Sequence, residues 1–210
     1  DNQKFIDIYN DDNQLIEEQR FGRYFFCYNT RKPEKTIKHS YDKKGKIFKK
    51  TYFKKSKLDG ITQYFYNDIG LKTKILFTDN KGKEKTTEFK YNARGKLLLE
   101  KYIYRNGDTK CTEYTYDEGG KLLLKKNTIR DGGTAYTEYK RDDRGKLLLE
   151  KMTYSDGHTG YKKYKYNDDG HYVGFTAKLP DGHKYAYGWK VDSSGNIIKG
   201  TRAHYYLQRD

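Results

Sequence analysis

The sequence predicts an all-β fold: an antiparallel β-meander of about 14 to 16 strands, built from seven 25-residue hairpin repeats in a coiled, twisted and elongated sheet. Three observations predict it. Glycine recurs at Gly45, Gly70, Gly95, Gly120, Gly145, Gly170 and Gly195, each 25 residues after the last. A second series, Gly82, Gly107, Gly132, Gly157 and Gly182, keeps the same period. Between the glycines, aromatic and charged residues alternate with the two-residue side-chain period of a strand.

The repeat answers a question that composition raises. Leu, Ile, Val and Phe together number 39 of 210 residues, and the formal net charge is +15. A chain so poor in aliphatic residues and so charged falls in the range of disordered sequences. Seven units in unbroken register after Gly45 reject disorder. The 23 tyrosines are then the material from which a core has to be made. Apolar runs reach only three residues, as in Leu97-Leu98-Leu99, so no membrane-spanning segment is expected. The chain begins at Asp1 and not Met, as a processed or trimmed chain would, and shows no signal-peptide pattern.

Residues 1–35 are the irregular start, read as capping hairpins. From Asn13 to Gly45 the step is seven residues too long, and Phe21-Gly22 to Phe25-Phe26 falls inside that excess. Residues 36–200 are the repeat array. Each unit has two turns. One ends a segment such as Asp117-Glu118-Gly119-Gly120, the other has the form Pro180-Asp181-Gly182. In both, glycine supplies the positive φ that the turn requires, and Asn13 is the next-best residue for that task. A three-residue loop at the second turn and a four-residue loop at the first, with two strands of nine, fill the period. Residues 201–210 form the C-terminal strand and tail, with Tyr205-Tyr206-Leu207 completing the last strand. Nothing marks an internal boundary, and the three segments are read as one elongated domain.

Aligning the units shows what each face carries. One column runs His39, Tyr64, Phe89, Tyr114, Tyr139, Tyr164, Trp189, and the next Tyr41, Tyr66, Tyr91, Tyr116, Arg141, Tyr166, Val191. With the loops as counted, Leu98, Leu123 and Leu148 join this aromatic face, and Tyr114 lies across from Leu123. The opposite face carries Glu88, Glu113 and Glu138 beside Lys101, Lys126 and Lys151, with Leu97/Leu99, Leu122/Leu124 and Leu147/Leu149 as a narrow apolar stripe. Cys27 and Cys111 sit 84 residues apart, roughly 30 Å in a meander and far beyond disulfide reach. Two free thiols are expected.

The runs Tyr114-Thr115-Tyr116-Asp117-Glu118-Gly119-Gly120-Lys121-Leu122 and their relatives ending at Gly95, Gly145 and Gly170 resemble the YD-repeat (Rhs) family of bacterial and metazoan surface and toxin proteins. The resemblance spans about residues 36 to 200. Lys46, Lys96, Lys121 and Lys146 stand where the family usually has Arg, and the family's units are commonly somewhat shorter. What the resemblance implies is a secreted or cell-surface bacterial β-repeat with no catalytic residues. Seven units are too few for the hollow shells that the family's long arrays form around a toxin.

No constellation of catalytic type is visible: Glu and Lys alternate everywhere as cross-strand pairs, and no Ser-His-Asp, Cys-His or phosphate-cradling loop stands out. The chain is not expected to be an enzyme, nor to need a cofactor or metal. His158 and His183 occupy equivalent hairpin tips, too distant to share a zinc ion without a third ligand, and the Asp-Gly pairs lack the alternating oxygen ligands of a calcium loop.

The aromatic ladder is the one feature pointing to a ligand. Tyr114, Tyr116, Tyr139, Tyr164, Tyr166, Tyr187 and Trp189 are the candidate binding residues, because ring faces stack on sugars or bases. The alternative for these rings is that they are the core. The basic charge adds an attraction for polyanions. The functional expectation is a non-catalytic binding or scaffold module for an anionic polysaccharide or a protein partner. Weak non-specific binding of single-stranded nucleic acid, or a structural fragment of a larger Rhs/YD toxin or adhesin, is the alternative.

Overall fold

The computed structural model describes residues 4–21, 32–129, 132–199 and 203–207; of Lys4 and 204–207 it describes the backbone only. Among the described residues there are sixteen strands and no helix: β1 (Lys4–Tyr9), β2 (Leu15–Phe21), β3 (Lys35–Tyr41), β4 (Ile47–Lys54), β5 (Lys57–Tyr66), β6 (Lys72–Asp79), β7 (Glu84–Tyr91), β8 (Leu97–Ile103), β9 (Thr109–Tyr116), β10 (Leu122–Thr128), β11 (Thr134–Arg141), β12 (Leu147–Tyr154), β13 (Thr159–Tyr166), β14 (Tyr172–Lys178), β15 (Lys184–Gly188) and β16 (Ala203–Leu207). The fold is the all-β antiparallel meander that the repeat predicts. The chain divides into two compact units, Asp1–Gly95 with Glu100–Thr109, and Lys96–Leu99 with Lys110–Asp210.

In the first unit, β1 to β7 pair each with the next, always antiparallel. The first hairpin is regular: Asn13 holds φ at 58° and closes the turn as the later glycines do. The seven-residue excess lies instead between β2 and β3, which pair directly from Glu17↔Lys38 to Arg20↔Lys35. The Phe25-Phe26 part of that excess, and Cys27, fall outside the described residues. The β4–β5 turn is the exception to the glycine rule. Lys57 stands where the second glycine series would place its residue, and the chain turns on Lys55 and Ser56 alone, with φ of 48° and 63°. Two consecutive positive φ values are the mark of a two-residue type I′ hairpin. A bulge between Tyr52↔Gly60 and Phe53↔Leu58 takes up the residue that the shorter loop releases.

In the second unit, β9 to β16 pair in the same consecutive way. Tyr205-Tyr206-Leu207 do lie in the last strand, where Tyr206 is opposite Tyr185.

One expectation about the loops is corrected. Both turns enclose three residues and close with the same two backbone bonds. At the first turn Asp117 donates to the Lys121 carbonyl and Gly120 to that of Asp117, both at 2.9 Å. At the second, Leu179 donates to His183 at 2.8 Å and Gly182 to Leu179 at 3.0 Å. The residue assigned to a four-residue loop is a β-bulge in the strand after the first turn. Tyr116 is opposite Leu122 while Thr115 is opposite Leu124, so Leu123 has no partner. Phe48, Thr73, Leu148 and Val173 are skipped in the same way, as is Ile16 in the first hairpin. A bulge adds a residue without turning the rest of the strand over. The faces therefore stay constant although the period is odd.

The bulge also changes the face assignments. Tyr114 is opposite Lys125, not Leu123, and Leu122 and Leu147 lie beside Tyr116 and Arg141 on the aromatic face. Leu124 and Leu149 remain on the charged face, opposite Thr115 and Lys140. There the expected pairs form: Lys126 to Glu113 at 3.1 Å and Lys151 to Glu138 at 3.7 Å.

Burial is shallow. Ala177 is the only buried hydrophobic residue, with Thr62, Thr112 and His39 the buried polar ones, among those described, and no large side chain is fully buried. Leu123 is 43% exposed at its bulge, and Leu98, its repeat equivalent, is 38% exposed. The rings are half-buried against each other along the strands. Their lateral packing takes the place of a second layer.

Candidate functional site

The aromatic face is built by the bulge. The strand after each first turn begins with a residue whose carbonyl lies beyond the end of the ladder with the following strand: β4 and β5, for example, pair only from Lys49↔Gln63 onward. A side chain of that following strand supplies the missing donor. Tyr66 Oη donates to the Ile47 carbonyl, Tyr91 to Lys72 and Tyr116 to Leu97, each at 2.8 Å, and Tyr166 to Leu147 at 2.9 Å. Each of these donors is 19 residues beyond its acceptor. Tyr41 reaches back 26 residues to Leu15 at 2.8 Å, the difference being the seven-residue excess between β2 and β3.

Both departures from the tyrosine column keep this bond. Arg141 donates from Nη1 to the Leu122 carbonyl, again 19 residues back. Val191 has no donor, and the bond to Tyr172 is made by Trp189 through Nε1 at 3.1 Å. The column is therefore a series of clamps between successive hairpins. Replacing a net hydrogen bond of this kind costs about 1 kcal/mol.

A second contact accompanies the clamp. Lys46 donates to the Gly70 carbonyl at 3.1 Å and lies over the Tyr66 ring at 5.3 Å. Lys146 lies over Tyr166 at 5.4 Å. A Cβ at Gly70, Gly145 or Gly170 would meet the Nζ of Lys46, Lys121 or Lys146. Lys46 and Lys146 thus rest on the next unit's tyrosine and glycine.

The seven candidate residues share this face, and four of them come together. Tyr164, Tyr166, Tyr187 and Trp189 converge on β13–β15 with Tyr172, Phe175 and Tyr185. Tyr172 is the hub, at 5.7 Å from Tyr164, 5.8 Å from Tyr166 and 4.9 Å from Trp189. Phe175 stacks on Tyr187 at 5.3 Å and meets Tyr185 edge-on at 5.9 Å. Lys162 sits over both Tyr164 and Phe175, at 4.8 and 4.1 Å. Tyr114, Tyr116 and Tyr139 stay in earlier hairpins.

Tyr172, Phe175 and Tyr185 are missing from the sequence-predicted set. Their signal was present in the alignment of units: Phe175 stands where Lys125 and Glu150 do, and Tyr185 where Ala135 and Gly160 do.

The polar ends of Tyr164, Tyr166 and Trp189 are occupied. Tyr164 donates to Glu150 at 2.8 Å. Burial first, and then that carboxylate, push its hydroxyl well above the usual tyrosine range. Burial raises Tyr139 and Tyr172 as well. With Tyr166 and Trp189 held as clamps, the cluster offers ring faces and few hydroxyls. Tyr187, at 38% exposure, is the most open of the candidates.

The histidines at the hairpin tips pair with their own turns: His158 with Asp156 at 3.1 Å and His183 with Asp181 at 2.9 Å. Among the described residues no three His, Cys, Asp or Glu side chains are grouped to hold a metal ion. Cys111 is a free thiol on half-buried β9 backbone. No helix among the described residues is long and apolar enough to cross a membrane.

No family model matches the chain, and no curated protein does. Solved structures do. The crystal structure of TcdB2-TccC3-Cdc42 is similar at 17% identity and a TM-score of 0.63, over 94% of this chain and 11% of that one. The Tc holotoxin pore of Photorhabdus luminescens with a TccC3 mutation is similar at 17% identity and 0.61, over 92% and 11%. TcdB2-TccC3 without its hypervariable C-terminal region is similar at 16% identity and 0.61, over 94% and 11%. The likeness is one of fold, and this chain spans about a tenth of the chains it matches. In fold, the chain is similar to these TccC3-containing structures, consistent with a YD-repeat, Rhs-like β-hairpin array.

Proposed function

We propose that this chain is a non-catalytic structural segment of a larger Rhs/YD-type toxin or adhesin, secreted and acting through protein partners. The observation that carries this reading is the clamp series. The conspicuous side chains of the repeat, including Arg141 and Trp189, are committed to joining one hairpin to the next. Such chemistry makes a wall. The similarity of nearly the whole chain to a small part of TccC3-containing chains supports the same reading. A stacking role for the aromatic cluster in glycan binding has less support, since the Tyr164 and Tyr166 hydroxyls and the Trp189 indole nitrogen are already engaged.

An antibody raised against this chain, used on medium and cells of the source organism, tests the proposal. The expected band is secreted and several times heavier than 24.9 kDa. A species of 24.9 kDa retained in the cells overturns it.

A further inference from the structure

A clamp needs a donor at the end of one strand and, on the strand before it, the carbonyl of the first residue past the turn. Tyr9 stands at the donor position. It ends β1 and faces Leu15 across a bulge, as Tyr41 faces Ile47. β1 pairs only with β2, so no strand on its outer side offers the Tyr9 hydroxyl a carbonyl. The donors Tyr41, Tyr66, Tyr91, Tyr116, Arg141 and Tyr166 are all half-buried, whereas Tyr9 is 52% exposed. Phe5 and Ile8 of the same six-residue strand are exposed as well. An edge strand with three exposed apolar side chains is a template for a further strand.

The opposite half of a clamp is left open in the last hairpin. Its turn is of the first kind: Asp192 donates to the Asn196 carbonyl at 2.9 Å and Gly195 to that of Asp192 at 3.0 Å. Ile197, opposite Val191, holds the place of Leu122 and Leu147 in earlier units. Those two are half-buried, with a donor on their carbonyls. Ile197 is 41% exposed, and no side chain among the described residues donates to its carbonyl. β16 pairs only with β15, which leaves its outer edge open too. Charge matches the two ends. In a chain of net charge +15, the first hairpin, Lys4 to Phe21, has five carboxylates and two cations, and the last, Lys184 to Leu207, has four cations and one carboxylate. The last hairpin of one copy is therefore attracted to the first hairpin of another, while two first hairpins repel.

We propose that β1 and the Ile197 carbonyl are the two halves of a head-to-tail joint between copies of this chain, closed by Tyr9 Oη of one copy donating to the Ile197 carbonyl of the next. A second copy is the occupant for which both halves are present in this chain. The joint goes beyond the reading of the chain as a segment of a wall, and the mass of the secreted species tests that reading separately. Flanking hairpins of a longer chain are the competing occupant.

Sedimentation of the whole chain over a range of concentrations is the test. Association weakened by salt is expected. Tyr9→Phe removes the donor and is expected to weaken association about fivefold, the worth of one net hydrogen bond. Tyr41→Phe, which removes a clamp within the chain, is expected to lower the melting midpoint and spare association. Phe5→Lys blunts the β1 edge, and Ile197→Glu sets a carboxylate against the acidic hairpin. Both residues are exposed, so both variants should stay folded, which their melting curves check, and each alone should be monomeric. Their equimolar mixture keeps one intact head and one intact tail, on different copies, and should form a dimer and nothing larger, as a heterologous interface requires. A parent chain that stays monomeric at about 1 mM overturns the proposal and leaves the edges to flanking hairpins. Association that persists in both single variants, or a mixture that stays monomeric, overturns the head-to-tail joint.

Discussion

The two turns of one repeat share a backbone and differ in everything around it. Both are three-residue loops closed by a glycine at positive φ; Gly145 and Gly157 have the same value, 83°. After the first turn the strand bulges, and the next unit's Tyr, Arg or Trp bonds to its first carbonyl. After the second turn the ladder runs unbroken, as from Leu124↔Glu138 to Thr128↔Thr134. A side chain of the preceding unit lies against each glycine of the first series, whereas Gly82, Gly107, Gly132, Gly157 and Gly182 have open space around the missing Cβ. The difference shows that one edge of the array is where neighbouring hairpins are joined, and that the other edge is only where the chain reverses.

The largest effect expected from this difference is on single-residue deletions. Removing Leu123 takes out a residue that faces no partner, so the ladder closes to regular pairing and every other side chain keeps its face. The variant is expected to melt cooperatively with an unchanged far-ultraviolet spectrum. Removing Thr137 from β11, which has no bulge towards β10, forces part of that strand to turn over against a neighbour. Loss of a cooperative melt is expected there. If both deletions unfold the protein, the bulge is not the slack in the repeat.

Alkaline titration should act next, at the clamp donors Tyr66 and Tyr91 and at four further rings of the aromatic face. Burial raises the hydroxyls of Tyr66 and Tyr91, with the Asp42 and Glu100 carboxylates adding to it. Burial also raises Tyr64, Tyr139, Tyr164 and Tyr172. A hydroxyl whose value is higher in the folded state contributes its full stabilisation below the ordinary tyrosine value of 10.0, and that contribution is lost as pH rises through the folded values. Urea midpoints are expected to hold up to about pH 9 and fall above about pH 10, together with the appearance of tyrosinate absorbance. A midpoint that falls well before tyrosinate appears would break the link between these half-buried hydroxyls and stability.

Much of this is legible in the sequence. The glycine series dictates the turns, since only positions of positive φ demand that residue so regularly, and the Glu–Lys columns dictate the cross-strand pairs. The bulge was not legible, because one extra residue in a loop and one in a strand give the same period; only the pairing of Tyr116 with Leu122 and Thr115 with Leu124 separates them. The tyrosine column was read as a stacking surface because periodicity shows which face a ring is on and not what its hydroxyl reaches. Arg141 and Val191 held the missing signal. An aromatic column that accepts arginine is being used as a donor, and a valine beside an indole two residues away marks where the donor moved. The Lys55-Ser56 turn left less trace, since neither residue favours positive φ and the geometry is imposed by the strands it joins.

The smallest effect is the sharpest test of the comparison. Alanine at Gly170 and at Gly157 meets nearly the same backbone strain, about 1–2 kcal/mol in the left-handed region, so the strain cancels between them. What remains is the surroundings: Lys146 of the preceding unit at Gly170, and open space at Gly157. The end of a lysine side chain moves cheaply, but moving it takes the ammonium away from the Tyr166 ring of the next unit. Gly170→Ala is therefore expected to lower the urea midpoint by more than Gly157→Ala, with a difference of about 0.5 kcal/mol, the size of an exposed charge–ring contact. Repeating the pair with Lys146→Ala in the background should abolish the difference. Equal losses in the parent chain would mean that the lysine contributes nothing to the joint, and that the side chain bonded to the neighbouring carbonyl holds the hairpins together alone.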